Sequence, residues 1–243
     1  VPTYRVDLAY DGAGFHGFAR QPGQRTVQGA VEGVLGRLVG EEVVTVGAGR
    51  TDSGVHARGQ VMSFRLEGRL DGPRLMRSLN ALLGPEVVVH GFRQMDEEFN
   101  ARTSAKWRCY RYQLINRPHP DPLLRHYTWH FSEPLDLGAM RWVAGQLVGE
   151  HDFSSFCRGA GGKSLVRRVL EAGWVEAGGL TVFTIRAVGF CHQMVRSLVG
   201  WTVKVGSGRA SAETLGDVLE AHDRAAAGPV APPHGLILWE VGY

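Results

Sequence analysis

The 243-residue chain is poor in cysteine. It has three, Cys109, Cys157 and Cys191, spaced 48 and 34 positions apart and without a CxxC pair. An odd count at such spacings speaks against both a disulfide framework and a zinc ribbon. The thiols therefore read as core residues of a protein in a reducing compartment, the cytoplasm. No apolar run reaches the roughly 18–20 residues needed to span a bilayer. The opening VPTYRVDLAYDG places charges where a signal sequence needs an apolar stretch, so neither membrane insertion nor secretion is expected. Lysine is nearly missing too, with three residues against 24 arginines, and no charged or Ser/Gly-rich linker divides the chain.

What remains is an ordinary globular composition, 44% apolar and 21% charged, long enough to bury a core without staples. The net charge of +3 is small, but it is unevenly spread. Residues 99–130 carry Arg102, Lys106, Arg108, Arg111, Arg117 and Arg125 against Asp121, a local +5. Residues 153–170 carry Arg158, Lys163, Arg167 and Arg168 with no acid, a local +4, which leaves −6 for the rest. A guanidinium matches a phosphate with a planar fork, so arginine-rich windows point to a phosphate-bearing partner unless they are only a composition bias.

Periodicity predicts the strand TYRVDLAY, a Gly-rich loop from Asp11 to Gly23, and a helix capped by Thr26 with Val27, Ala30, Val31, Val34, Leu35 and Leu38 on one face. Strands VVTVGA and QVMSFRL follow, then a helix opened by Gly72-Pro73 and the strand EVVVHGFRQM. The order is βαββαβ, a ferredoxin-like unit. A second, dissimilar pass has strands WRCYRYQLI and YTWHF, a helix from about Leu137 to Val148, a loop from Glu150 to Ser164 and a hairpin turning at Gly178-Gly179. A buried helix from Met194, a helix near Ser211 and the strand GLILWEV complete it. The expected class is α+β: two ferredoxin-like halves, residues 1–102 and 103–243, with mixed, mainly antiparallel sheets joined around a central cleft.

Three segments carry candidate chemistry. In Gly49-Arg50-Thr51-Asp52-Ser53-Gly54-Val55-His56, the glycines permit tight turns and Arg50 favours an ionised Asp52, which suits a nucleophile. The same residues also suit a plain turn in which Asp caps its own backbone. His56 fits a base less well than a hydrogen-bonded structural residue. In Trp107-Arg108-Cys109-Tyr110-Arg111-Tyr112, cations alternate with aromatics: a base-stacking platform, or a half-buried strand with Tyr inside and Arg outside. In Phe190 to Arg196, Arg196 interrupts an apolar helix face and needs a carboxylate partner, for which Asp52 is a candidate, or a route to water.

Together these segments resemble the tRNA pseudouridine synthase A family over nearly the whole chain. The likeness runs from Tyr10-Asp11-Gly12, Phe15-His16-Gly17 and Arg25-Thr26-Val27-Gln28-Gly29 through GRTDSGVHA, Leu79-Asn80-Ala81-Leu82-Leu83 and Phe99-Asn100-Ala101-Arg102. It continues through Tyr110-Arg111-Tyr112 and Asp152-Phe153 to Met194-Val195-Arg196. The resemblance implies isomerisation of uridine to pseudouridine in the anticodon stem-loop of tRNA, without cofactor or metal, by a homodimer. It implies Asp52 as nucleophile, Tyr110 against the target base and Arg196 paired with Asp52. The RNA-binding set is then read as Tyr110, Arg50, His56, Arg58, Arg102 and Arg111, with Arg167 and Arg168 added from the second basic window. Phe18-Ala19 stands where the family usually has Trp-Gln, Ser53 where Ala is common, and Gln193 and Ser197 where His and Asn are usual. These departures bear on RNA contacts more than on the chemistry.

The reaction breaks an N-glycosidic bond, turns the base and joins C5 to C1′. One carboxylate can start it at C1′ or at C6 of the uracil. The alternative is an RNA-binding protein of the same architecture without catalysis. An ionised carboxylate in a phosphate-binding cleft serves an enzyme and not a binder. A metal-dependent phosphodiesterase would need convergent carboxylates that His119, His126 and His130 do not bring.

Overall fold

In the computed structural model, which describes residues 1–159, 162 and 164–243, the elements follow in the order β1 (Thr3–Tyr10), α1 (Val27–Val39), β2 (Thr45–Gly47), β3 (His56–Arg65), α2 (Gly72–Leu83) and β4 (Val87–Met95). Then come β5 (Trp107–Asn116), β6 (Trp129–Phe131), α3 (Leu137–Gln146), β7 (Gly149–Asp152), β8 (Val166–Ala177), β9 (Leu180–Ala187), α4 (Met194–Gly206), α5 (Leu215–Glu220) and β10 (Leu236–Gly242). The chain divides into two compact units. One is Val1–Arg108 with Ile237–Tyr243, the other Cys109–Leu236.

The first unit is built on β3. Strand β1 lies antiparallel between β4 and β3, β2 pairs antiparallel with β3 from Thr45 to Gly47, and β10 adds in parallel through Ile237 and Leu238 against His56 and Ala57. Thr26 caps α1 by accepting from Gly29 N, and Gly40 ends it in the left-handed region at φ 85°. Asp71 caps α2 by accepting from Arg74 N, with Pro73 in the first turn. Helix α2 buries Leu75, Leu79 and Leu83 and leaves Leu82 53% exposed, the one-sided burial that its spacing predicts.

In the second unit the strand order is β5-β9-β8-β7, with β6 parallel to β5. Cross-strand pairs from Val169↔Ala187 to Ala177↔Leu180 hold the β8–β9 hairpin, whose turn glycines Gly178 and Gly179 both have positive φ. Helix α4 is buried nearly all round, and only Arg196 and Lys204 among its 13 residues escape full burial. Gly200 lets it approach the stretch after α5, since a Cβ there would lie 2.2 Å from the Pro229 carbonyl oxygen.

Three expectations are corrected. Residues 103–243 do not form one half, because β10 pairs with β3 and the division falls at Arg108. Gly149–Asp152, expected as the start of a loop, is strand β7: it pairs with Val169 to Val166, where β8 offers an open edge. The cysteines are not all isolated thiols. Cys157 and Cys191 are brought side by side with Cα atoms 5.8 Å apart, because the β8–β9 hairpin returns the chain to its starting point, while Cys109 is buried as a thiol. The loops on either side of this pair also join through Arg158 N donating to the His192 carbonyl at 2.9 Å.

Leu79 is fully buried and Leu82, one helical step round, is not. Leu79→Ala is therefore expected to cost about 2–5 kcal/mol in urea unfolding, and Leu82→Ala less than about 0.5 kcal/mol.

Candidate active site

The segment from Gly49 to Val55 belongs to no strand, and Asp52 stands at the first position of a tight turn within it. Val55 N donates to the Asp52 carbonyl at 3.1 Å, and Gly54, at φ 77°, supplies the left-handed third position. Thr51 is buried, Asp52 half-buried, and Arg50 and Ser53 exposed.

A second irregular segment, Asp11 to Arg25, packs over this turn. A Cβ on Gly12 would lie 2.0 Å from the Val55 carbonyl oxygen, and one on Gly17, at φ 90°, would lie 3.0 Å from that of Thr51. Both positions therefore require glycine. Phe18 N donates to the Thr51 carbonyl at 3.1 Å, and Ser53 Oγ donates to the Phe15 carbonyl at 3.2 Å. The far end is tied by Arg25, whose guanidinium lies over the Phe15 ring and pairs with Glu86. That hydrogen bond from Arg25 holds the Glu86 carboxyl below its ordinary pKa.

His56 is 3% exposed. Its Nδ1 accepts from Gly12 N at 3.0 Å and lies 3.0 Å from Asp11 Oδ1. The two contacts need opposite states of Nδ1: bare to accept from Gly12, protonated to pair with Asp11. His56 thus sits in the support of the turn, which corrects its expected placement on an RNA-facing surface. Phe18 is likewise a core residue, 2% exposed, stacked on Tyr10 and filling the space above Gly47. The departure at Phe18 is therefore one of core packing and not of RNA contact.

In the second unit, Tyr110 is 7% exposed and meets Phe190 edge-on at 5.0 Å. Tyr112 is fully buried and donates to the Pro232 carbonyl at 3.0 Å, and burial pushes its hydroxyl pKa up. Arg196 Nε donates to the Ala231 carbonyl at 2.8 Å while Ala231 N donates back to the Arg196 carbonyl at 3.1 Å. This exchange fixes the plane of the guanidinium at the start of α4.

The arginines separate by what they touch. Arg108 donates to the carbonyls of Ala48, Ala105 and Arg102 and is a structural tie, and Arg117 pairs with Asp121. Arg50, Arg102 and Arg168 are exposed, Arg111 and Arg167 half-buried, and the exposed Arg58 lies over the Trp239 ring at 4.4 Å. Arg167 donates to the Ser164 and Val166 carbonyls at 3.0 and 2.7 Å. Lys163, part of the second basic window, lies outside the described residues. Among the described residues no three His, Cys, Asp or Glu side chains converge as metal ligands, and no helix is long and apolar enough to cross a membrane.

Behind the turn lies a buried polar cluster that residue patterns do not single out: Tyr10, Thr51 and Gln60. Tyr10 Oη and Thr51 Oγ1 are 2.8 Å apart, and burial raises the Tyr10 pKa to about 12 against the smaller opposing effect of its hydrogen bonds. The available signal was Gln60 itself, an amide on the strand face that also carries Met62 and Phe64.

The chain is thus α+β, with a half-buried carboxylate on a braced turn in one unit and an arginine of fixed plane in the other. A family model described as tRNA pseudouridine synthase matches residues 143–243. A tRNA pseudouridine synthase A of Moorella thermoacetica is 41% identical over the full length of both chains. Those of Bacillus subtilis and Cereibacter sphaeroides are 41% and 43% identical, the first over 98% of each chain and the second over all of this chain and 98% of its own. The chain belongs to the tRNA pseudouridine synthase A family.

Gly12→Ala is expected to cost about 1–3 kcal/mol, because its Cβ meets backbone. Gly33→Ala on α1, where a Cβ meets nothing within 4 Å, should add about 0.5–1 kcal/mol. Thermal melts of the two variants would shift in opposite directions.

Proposed function

We propose that this chain isomerises uridine to pseudouridine in the anticodon stem-loop of tRNA, with Asp52 as the nucleophile. The observation that carries the reading is the turn at Asp52–Val55, which is braced by the Asp11–Arg25 segment and yet leaves its carboxylate residue half-buried, after the buried Thr51 and before the exposed Ser53. The target nucleotide leaves its stack, at a cost of a few kcal/mol that an aromatic contact and phosphate pairing offset. The Asp52 carboxylate bonds transiently to the substrate, at C1′ or at C6 of the uracil. The N1–C1′ bond breaks, the base turns, C5 joins C1′ as the bond to Asp52 is released, the C5 proton leaves and N1 takes up a proton, so the net change is an isomerisation without redox chemistry.

Tyr110 is the ring against the uracil, and Arg196, with its plane set by Ala231, is the fixed cation of the reaction. Arg50, Arg58, Arg102, Arg111, Arg167 and Arg168 contact the RNA backbone. Of these, Arg58 is held over the Trp239 ring and Arg167 by the Ser164 and Val166 carbonyls. The protein acts in the cytoplasm as a homodimer: each chain has two modest basic windows, and doubling them lengthens the track for a large folded RNA.

Asp52→Asn should bring pseudouridine formation from unmodified tRNA transcript below detection while tRNA affinity stays unchanged or tightens, because a nucleophile and a phosphate-repelling charge are lost together. Nucleoside analysis and filter binding read the two effects separately, and substantial turnover by Asp52→Asn would overturn the assignment. Charge reversal at Arg167 and Arg168 should weaken binding and flatten its log–log salt dependence by about 1.5, since each phosphate left unneutralised removes about 0.7–0.9 from the slope. An unchanged slope would place the RNA elsewhere.

A further inference from the structure

The Asp52 turn lies outside the sheet, yet one side chain of the sheet holds the chain that leads into it. Gln60 of β3 is completely buried, and both ends of its amide are committed. Its Oε1 accepts from Gly49 N at 3.3 Å and from Val61 N at 3.1 Å, while its Nε2 donates to the Gly49 carbonyl at 2.9 Å and to Tyr10 Oη at 3.4 Å. Ala48 N already donates to the Val61 carbonyl at 2.8 Å. The Gln60 amide thus serves Gly49 as a neighbouring strand would, carrying the ladder two residues past the end of β2.

The hydrogens can be followed from there. Gln60 Nε2 can only donate, so Tyr10 Oη accepts from it, and Tyr10 Oη shares a hydrogen bond with Thr51 Oγ1, 2.8 Å away, in which either hydroxyl can be the donor. Burial keeps Tyr10 protonated far above neutrality, so these contacts stay between neutral groups across the working range of pH. Thr51, adjacent to Asp52, is gripped at its hydroxyl by Tyr10 and at its carbonyl by Phe18 N. None of Gln60, Tyr10 or Thr51 has more than 6% of its surface exposed. They cannot bind RNA from there, and three partnered polar residues in a core contribute less cohesion than apolar ones of the same size.

We infer that Gln60, Tyr10 and Thr51 form a positioning relay that sets where the Asp52 carboxylate stands, with Gln60 as its anchor in the sheet. The inference rests on the reading of Asp52 as nucleophile. A misplacement of about 1 Å at a reacting group costs on the order of 10²-fold in rate, and the relay restrains the backbone three residues and one residue before that group. It acts on the chemical step and not on affinity.

The test uses Tyr10→Phe and Thr51→Val, near-isosteric changes that each remove one end of the same hydrogen bond, together with the double variant, Thr51→Ser and Asp52→Asn. Single-turnover pseudouridine formation and tRNA affinity are measured well below each variant's melting temperature. Expected are single-turnover rates about 10–100-fold lower in Tyr10→Phe and Thr51→Val with Kd within about twofold of the parent. The double variant should be no slower than the slower single one, and Thr51→Ser should regain most of the rate lost in Thr51→Val. Gln60→Leu, if it folds, should lose at least as much as either. Inactive Asp52→Asn alongside Tyr10→Phe and Thr51→Val at parental rates would overturn the relay alone. Rate losses that multiply in the double variant, or that are matched by losses in affinity, would also overturn it. An active Asp52→Asn would instead overturn the nucleophile assignment on which the relay rests.

Discussion

Backbone polar groups removed from water must find partners, and the first unit has to meet that demand where it has no ladder to meet it with. The turn carrying Asp52 and the segment from Asp11 to Arg25 are both irregular, and they lie against each other. Their solution is mutual. Phe18 N serves the Thr51 carbonyl, the imidazole of His56 serves Gly12 N, and Ser53 serves Phe15. The approach is close enough that Gly12 and Gly17 cannot carry a side chain without displacing backbone. Rigidity at the candidate nucleophile thus comes from two loops that brace one another over a strand, and a change to either is felt by both.

The second unit solves a different problem, the placing of a guanidinium on a helix buried almost all round. Arg196 can sit on α4 because the stretch at Pro229–Ala231 runs close beside the helix, over Gly200, and offers the Ala231 carbonyl to Nε. Other arginines of the chain serve as struts. Arg108 caps three carbonyls, and Arg5 lies over Tyr243 at 4.5 Å while pairing with Asp7. A guanidinium has five donors in a plane, which suits bridging carbonyls as well as gripping phosphate. The excess of arginine over lysine therefore has an architectural use.

Much of this was legible in the residues. The 3.6 spacing of α1, its cap at Thr26, the start of α2 at Gly72-Pro73 and the alternation of β1 all appear where local pattern places them, because each is decided within a few residues. What escaped notice is decided far along the chain. Gly-Glu-His-Asp has no strand pattern of its own and becomes β7 only because β8 leaves an edge to be paired. The contact of Cys157 with Cys191 depends on a hairpin returning, which spacing alone cannot show. At the site, the GRTDSGVH segment stood out by its glycines and charges. Its support did not, since Gln60 gains meaning only once Gly49 and Tyr10 are beside it.

The last strand has a consequence for how the molecule is made. β10 lies in parallel against the start of β3, with Gly242 under the Trp107 ring and the Tyr243 hydroxyl on the Ala101 carbonyl. The first unit is therefore finished by residues translated after the whole of the second. At about 5–20 residues per second, a nascent first unit waits on the order of ten seconds with the His56–Ala57 stretch of β3 unpaired on that side. An unpaired strand edge invites pairing with the wrong chain. Until β10 arrives, the His56–Ala57 edge, four residues past Asp52, lacks the strand that covers it in the finished protein.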